Sequence, residues 1–292
     1  MAELTDDALR AFSRDGCAVI DGFISKSEIA ELRQRISGLL DEFDPSMHPA
    51  IAFETGTSTQ YFFDSANKVS YFLENDKQAV NKIGHGLHII EPLFQRLTHS
   101  DRVKRVAEQL GYKDPRVLQS MVICKQPGVG GAVPMHQDST FLFTEPLSAC
   151  GFWIALEDCT QTNGCLEFIP GSHRRSAVEQ RFVRTQDDKG TEMVDIDPVA
   201  HHRSHLPRLE DYYNREAEPA AVDGNDKDEK CVPIEVSAGA LVLIHGQVLH
   251  KSAHNHSPKS RWIYTFHIID GECKYDERNW LQMRENVEMT RL

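Results

Sequence analysis

The chain has 292 residues, of which 40% are hydrophobic and 26% charged, and its formal net charge is −12. That composition suits a globular protein with a sizeable core, while the acidic balance, with Lys and Arg scattered, excludes a nucleic-acid partner or an anionic membrane surface. Its seven cysteines are irregularly spaced with no CxxC, which excludes a disulfide framework or zinc ribbon and points to a reducing compartment, the cytoplasm.

The first residues, Met1 to Asp7, are acidic and are not followed by an apolar stretch, so they are not a signal peptide. Thr5 can cap a short helix through Arg14, and Gly16 ends it. Cys17-Ala18-Val19-Ile20 then reads as a buried strand. Ser25 opens a second helix; Glu28, three residues on, makes a capping box, and Ile29, Leu32, Ile36, Leu39 and Leu40 form an apolar stripe at helical period. A third helix starts near Ser100, burying Val103, Val106, Ala107 and Leu110 and ending at Gly111.

From residue 115 short apolar runs at 117–124, 152–156, 165–169, 232–236, 240–244 and 262–269 alternate with Gly/Pro turns. This is the pattern of a β-sandwich or barrel, so the fold is mixed but mainly β, with N-terminal helices packed on a jelly-roll sheet. β-barrels often run to ~200–250 residues as one domain. Residues 1–292 are therefore read as a single domain with a charged insertion at about 177–230, poor in large apolar residues, which is expected to act as a mobile lid. No run reaches the ~18 apolar residues of a membrane span. Thr290-Arg291-Leu292 faintly echoes a peroxisomal ending, with Thr in place of Ser.

His136-Gln137-Asp138 carries the most chemistry. In a strand, His136 and Asp138 share a face. With a second imidazole they would form a two-His, one-carboxylate set, which suits Fe(II) and leaves coordination positions open. Alone, such a pair is weak evidence in a chain with 14 histidines. Two histidines lie near the end of the apolar run at 240–244: His245 and, five residues on, His250. In a regular strand they face opposite ways, so only one can join the site. Arg261, eleven residues after His250, opens another apolar run. A buried Arg needs an anion, either a ligand carboxylate gripped in bidentate fashion or an internal Asp or Glu. His173 reads as a structural loop residue. His201, His202 and His205, in the insertion, are a weaker candidate for a second metal cluster.

Across nearly its whole length the chain resembles the phytanoyl-CoA dioxygenase family. The motifs include Phe12-Ser13-Arg14-Asp15-Gly16, Asn81-Lys82-Ile83-Gly84-His85, Gln119-Ser120-Met121, His136-Gln137-Asp138-Ser139, Trp153-Ile154-Ala155-Leu156, Pro170-Gly171-Ser172-His173 and the strand-borne His250 followed by Ser252 and Arg261. The resemblance implies a double-stranded β-helix (cupin-like jelly roll) with His136, Asp138 and His250 as ligands of Fe(II), and its spacing selects His250 over His245. It further implies that Arg261 and Ser252 hold the distal carboxylate of 2-oxoglutarate, and that Lys82, Met121, Gln137 and Trp153 line the co-substrate pocket. The expected reaction consumes O2, decarboxylates 2-oxoglutarate to succinate and carbon dioxide, and hydroxylates a substrate. Asp138 favours hydroxylation over halogenation, since related halogenases leave the carboxylate position empty. Three alternatives stand beside this: a non-catalytic binding module, a cupin-like zinc or manganese enzyme, and a zinc hydrolase. Arg261 and Ser252 argue against the second, and the lack of an HExxH-type base against the third. The expected partner is a small organic substrate; an acyl-CoA would favour a basic mouth, and no Lys/Arg cluster is evident.

Overall fold

A computed structural model describes residues 4–44, 60–74, 79–196, 230–283 and 287–292. The first helix is Asp6–Asp15, and the Thr5 hydroxyl accepts from the Ala8 N–H at 3.2 Å. It stops at Gly16 in the left-handed region (φ 86°), where an added Cβ would come within 2.7 Å of the His173 ring and of Val248. The second helix is Lys26–Asp41, with the Ser25/Glu28 capping box in place and Leu32, Ile36 and Leu39 buried. A helix at Pro92–Thr98, opened by proline, precedes the expected one at Asp101–Leu110. None of the described helices is long and apolar enough to cross a membrane.

Two antiparallel sheets make up most of the rest, beside two further two-stranded pairs among the described residues. Among the described residues the larger has eight strands, in the order Cys17–Ile20, Leu241–His245, Cys150–Ala155, Arg261–Asp270, Pro115–Lys125, Val80–His85, Val69–Leu73; Thr290–Arg291 also pairs with Pro115–Lys125. The smaller has the order Val232–Ile234, Leu166–Phe168, His250–Ser252, Val133–His136. Period-two alternation divides the labour. On Arg261–Asp270, Tyr264, Phe266 and Ile268 join Phe12, Ile36, Phe94 and Val106 in a core under the helices. Ile263 instead joins Trp153, Val242, Leu166 and Phe168 in a second core between the sheets. The result is the expected jelly roll: helices cover one face of the large sheet, and the small sheet covers the other.

The insertion is more structured at its start than its composition suggests. Gln180–Arg184 and Thr191–Asp195 form an antiparallel hairpin, with Val178, Phe182 and Val183 buried. The insertion expected from about residue 177 thus begins with paired strands. Residues 197–229, including His201, His202 and His205, lie outside the described residues.

Candidate metal centre

His136 ends the strand Val133–His136, and Asp138 opens a helical turn, Asp138–Phe141, so the strand expected to run through both is interrupted. Gln137 between them is still extended (φ −115°, ψ 131°), which keeps the two side chains converging. His250 is the cross-strand partner of His136, and their ring centroids are 4.2 Å apart. Asp138 Oδ1 lies 3.5 Å from His136 Nε2 and 3.7 Å from His250 Nε2. One ligand atom from each of these residues falls within 4.8 Å of the others.

Both imidazoles are oriented from behind. His136 Nδ1 is 2.8 Å from the Pro134 carbonyl and His250 Nδ1 is 3.1 Å from the Val248 carbonyl. Carbonyls accept only, so each Nδ1 carries the proton and each Nε2 lone pair is left for a cation. The side chains of Asp138 and His250 are under 10% exposed while that of His136 is 23% exposed, so the cluster is reached from the His136 side. Burial opposes the Asp138 charge, but His267, His250 and His136 outweigh it and hold the carboxyl well below its ordinary range. Burial, helped by His136, pulls His250 down to about 4, which keeps it a neutral ligand at physiological pH. Burial also works against a charge on His136, yet the adjacent Asp138 carboxylate, which accepts from Nε2 only when the ring is charged, prevails and its value is raised.

The inner face of the large sheet continues the site in cross-strand rows. Trp153, Thr265, Met121 and Gly84 stand in one row, and Ala155, Ile263, Ile123 and Lys82 in the next. Arg261, 1% exposed, follows, with its guanidinium 5.5 Å from the Trp153 ring centroid. Its Nε and Nη1 have no hydrogen-bond partner among the described residues, and it joins no ion pair there. The internal Asp or Glu left open by the sequence therefore does not appear. Burial lowers the Arg261 value below the ordinary guanidinium range. Ser252 is buried two residues along the strand from His250, on the same face. The Lys82 amine sits 5.2 Å over the Phe72 ring, and burial pushes it well down. The Gln137 amide nitrogen is engaged by the carbonyls of Gln247 (2.7 Å) and Ser176 (3.3 Å), so this group anchors the backbone around Asp138.

His245 packs away from the cluster, 4.7 Å from the His173 ring and 5.8 Å from that of Phe12. His173 Nε2 donates to the Ser13 carbonyl at 3.0 Å, which fits its reading as a structural loop residue. Sequence reasoning missed His267, whose Nε2 lies 3.2 Å from Asp138 Oδ2, and Gln119 behind it. Counting by twos from Arg261 along its strand reaches Thr265 and His267, but only once the strand and its inner face are known.

The model of the Phytanoyl-CoA dioxygenase (PhyH) family matches residues 12–263. Phytanoyl-CoA dioxygenase domain-containing protein 1 of Danio rerio is 41% identical, with 98% of each chain covered. Phytanoyl-CoA dioxygenase of Arabidopsis thaliana is 38% identical, covering 96% of this chain and 94% of that protein. Among solved structures, EctD from S. alaskensis with 2-oxoglutarate and 5-hydroxyectoine superposes with a TM-score of 0.62 at 20% identity, over 98% of this chain and 85% of that one. The epimerase SnoN with Fe3+, alpha ketoglutarate and nogalamycin RO gives 0.64 at 16% identity, over 97% and 91%. At such identities these structures bear on the fold, which they share.

Proposed function

The chain belongs to the phytanoyl-CoA dioxygenase family, oxidoreductases dependent on Fe(II) and 2-oxoglutarate, and from that premise we propose that His136, Asp138 and His250 hold the iron and that the enzyme hydroxylates a small organic substrate. One observation carries the assignment: two imidazoles with their Nε2 lone pairs inward and one carboxylate converge at a buried point open on one side. Two neutral nitrogens and one anionic oxygen suit Fe(II) and leave positions for a chelating co-substrate.

Arg261 tests the fit for 2-oxoglutarate. A buried guanidinium with two unpaired donors is costly until an anion meets it. A planar fork with unsatisfied N–H groups suits a carboxylate, and neither a zinc hydrolase nor a simple cupin needs it. When bound, iron, 2-oxoglutarate and O2 supply the oxidising power, with succinate and carbon dioxide as co-products. The protein's part is positional. Arg261 and Ser252 would hold the distal carboxylate. Trp153, its ring centroid 5.5 Å from the Arg261 guanidinium, would exclude water from that ion pair and so strengthen it, while Met121 and Lys82 would wall the pocket. Gln137 would contribute by fixing the backbone between the two ligands it separates.

The family match over residues 12–263 supports reading 1–292 as one oxygenase domain. Cytoplasmic location is proposed from cysteine usage: the seven cysteines are irregularly spaced, with no CxxC, and those described are free thiols, as suits a reducing compartment.

The test is anaerobic Fe(II) reconstitution followed by succinate measurement from 2-oxoglutarate in air. Wild type should form succinate and Asp138→Ala should form none. Wild-type turnover by the variant would remove Asp138 from the ligand set. Adding acyl-CoA thioesters and small organic acids or amines in parallel distinguishes the small-substrate reading from acyl-CoA hydroxylation, the activity in the Arabidopsis relative's name. The class whose hydroxylation tracks succinate one to one is the substrate class.

A further inference from the structure

Asp138 has two carboxylate oxygens, and they face different surroundings. Oδ1 is the atom near the two Nε2 nitrogens, at 3.5 and 3.7 Å. Oδ2 faces His267 Nε2 at 3.2 Å. His267 is not part of the ligand cluster; it stands on the large sheet, and its cross-strand neighbours are Gln119 and Gly151. No side chain on the Gly151 strand intervenes: a Cβ at Gly151 would touch both Asp138 Oδ2 and His267 Nε2 at 3.4 Å.

Donor and acceptor roles follow from chemistry. An ionised carboxylate only accepts, so His267 Nε2 carries the proton and donates to Oδ2. The ring's other nitrogen, Nδ1, faces Gln119. Gln119 Nε2 lies 3.4 Å from it, and an amide nitrogen only donates. The chain of donors therefore runs one way, from Gln119 through His267 to Asp138. His267 and Gln119 are both buried, 7% and 5% exposed, so no water competes freely for these bonds.

We propose that Gln119 and His267 form a brace behind Asp138 that occupies Oδ2 and leaves Oδ1 alone to bind the iron. The brace rests on the ligand assignment above and deepens it: His267 is a positioning residue that keeps the carboxylate monodentate. A carboxylate free to swing both oxygens onto the metal would take up one of the positions that 2-oxoglutarate and O2 require. The brace thus protects the open face of the site while holding the carboxylate in place.

Binding of Co(II) alone to the metal-free full-length protein tests this, by calorimetric affinity and by the visible Co(II) absorption. Replacing an outer partner of a metal ligand typically weakens metal binding ~10–100-fold. His267→Ala should show such a loss and a changed Co(II) spectrum. His267→Gln, whose amide nitrogen can replace Nε2 as donor to Oδ2, should recover most of the affinity and the wild-type spectrum. Gln119→Leu should show a smaller loss of the same kind. Wild-type affinity and spectrum in His267→Ala would overturn the brace, as would a folded His267→Gln no better than the alanine variant. If His267→Ala does not fold, Gln119→Leu decides: wild-type affinity and spectrum there would overturn the brace. Asp138→Ala separates the two claims. Lost Co(II) binding there with normal binding in His267→Ala rejects the brace alone, whereas retained binding in Asp138→Ala rejects the ligand assignment and the brace with it.

Discussion

The two faces of the strand Arg261–Asp270 have opposite duties. Outward, Tyr264, Phe266 and Ile268 are completely buried under the helices, where they are purely packing residues apart from the Tyr264 hydroxyl, 2.6 Å from Thr98 Oγ1. Inward, Arg261, Thr265 and His267 bring polar groups into an equally buried space. One face gains stability from apolar contact, while the other gives some up to keep unpaired or precisely directed polar atoms ready for a ligand. Substitutions on the two faces should therefore separate stability from function.

The largest contrast is between Asp138→Ala and Phe266→Ala. The first should abolish succinate formation while the protein remains folded, since it removes the carboxylate of the ligand set. The second should cost about 3–5 kcal/mol of stability, the usual cost of emptying a buried phenylalanine site, while the folded fraction still binds metal. Denaturant unfolding beside succinate assays checks both. A large activity loss per folded molecule in Phe266→Ala would mean that the two faces are not independent.

Arg261→Met sharpens the contrast on the inner face itself. It should weaken 2-oxoglutarate binding by roughly 10–150-fold, the equivalent of about 1.5–3 kcal/mol for a buried charged hydrogen bond. Without 2-oxoglutarate, the variant's unfolding free energy should equal or exceed that of the wild type, because a buried charge with two unpaired donors is replaced by an apolar chain of similar length. Equilibrium binding and denaturant unfolding read the two quantities separately. Unchanged 2-oxoglutarate affinity would take Arg261 out of the pocket.

What the sequence revealed about these faces depended on how strongly each residue type departed from its setting. Arg261 at the head of an apolar run, and His250 at the end of another, were conspicuous because charge or imidazole there is costly. The helix starts were legible for a local reason: the Ser25/Glu28 capping box is formed within four residues. His267 was not conspicuous. Its strand is buried on both faces, so it reads as a nearly continuous apolar run in which alternation is blurred. The hairpin at 180–195 was hidden differently, because its arginines suggested a solvated loop. In the structure the guanidinium of Arg181 lies 4.6 Å from the Phe143 ring centroid and that of Arg184 lies 4.5 Å from Phe63. Charge that covers aromatic surface is compatible with a folded hairpin, and composition alone does not distinguish it from charge in water.

The smallest predicted effect concerns Lys125, the cross-strand partner of Arg261. Its amine donates to the carbonyls of Gly131 and Ala253, tying the strand end beside Arg261 to the segment just after Ser252. Burial first, then the neighbouring Arg261, pulls its value from 10.5 down to about 7. Between those values the unfolded chain holds a proton at this position that the folded chain has largely released. Stability therefore rises with pH through that window; the cost of the buried charge is full below about 7 and gone above 10.5. Lys125→Met also strands two carbonyl acceptors, at about 1–3 kcal/mol each, so the absolute stability of the variant does not isolate the titration. The slope does. The wild-type unfolding free energy minus that of the variant should grow steadily between pH 7 and the ordinary lysine range. A flat difference would mean that Lys125 keeps its proton in the folded chain, and that the inner face holds two adjacent buried cations awaiting an anion rather than one.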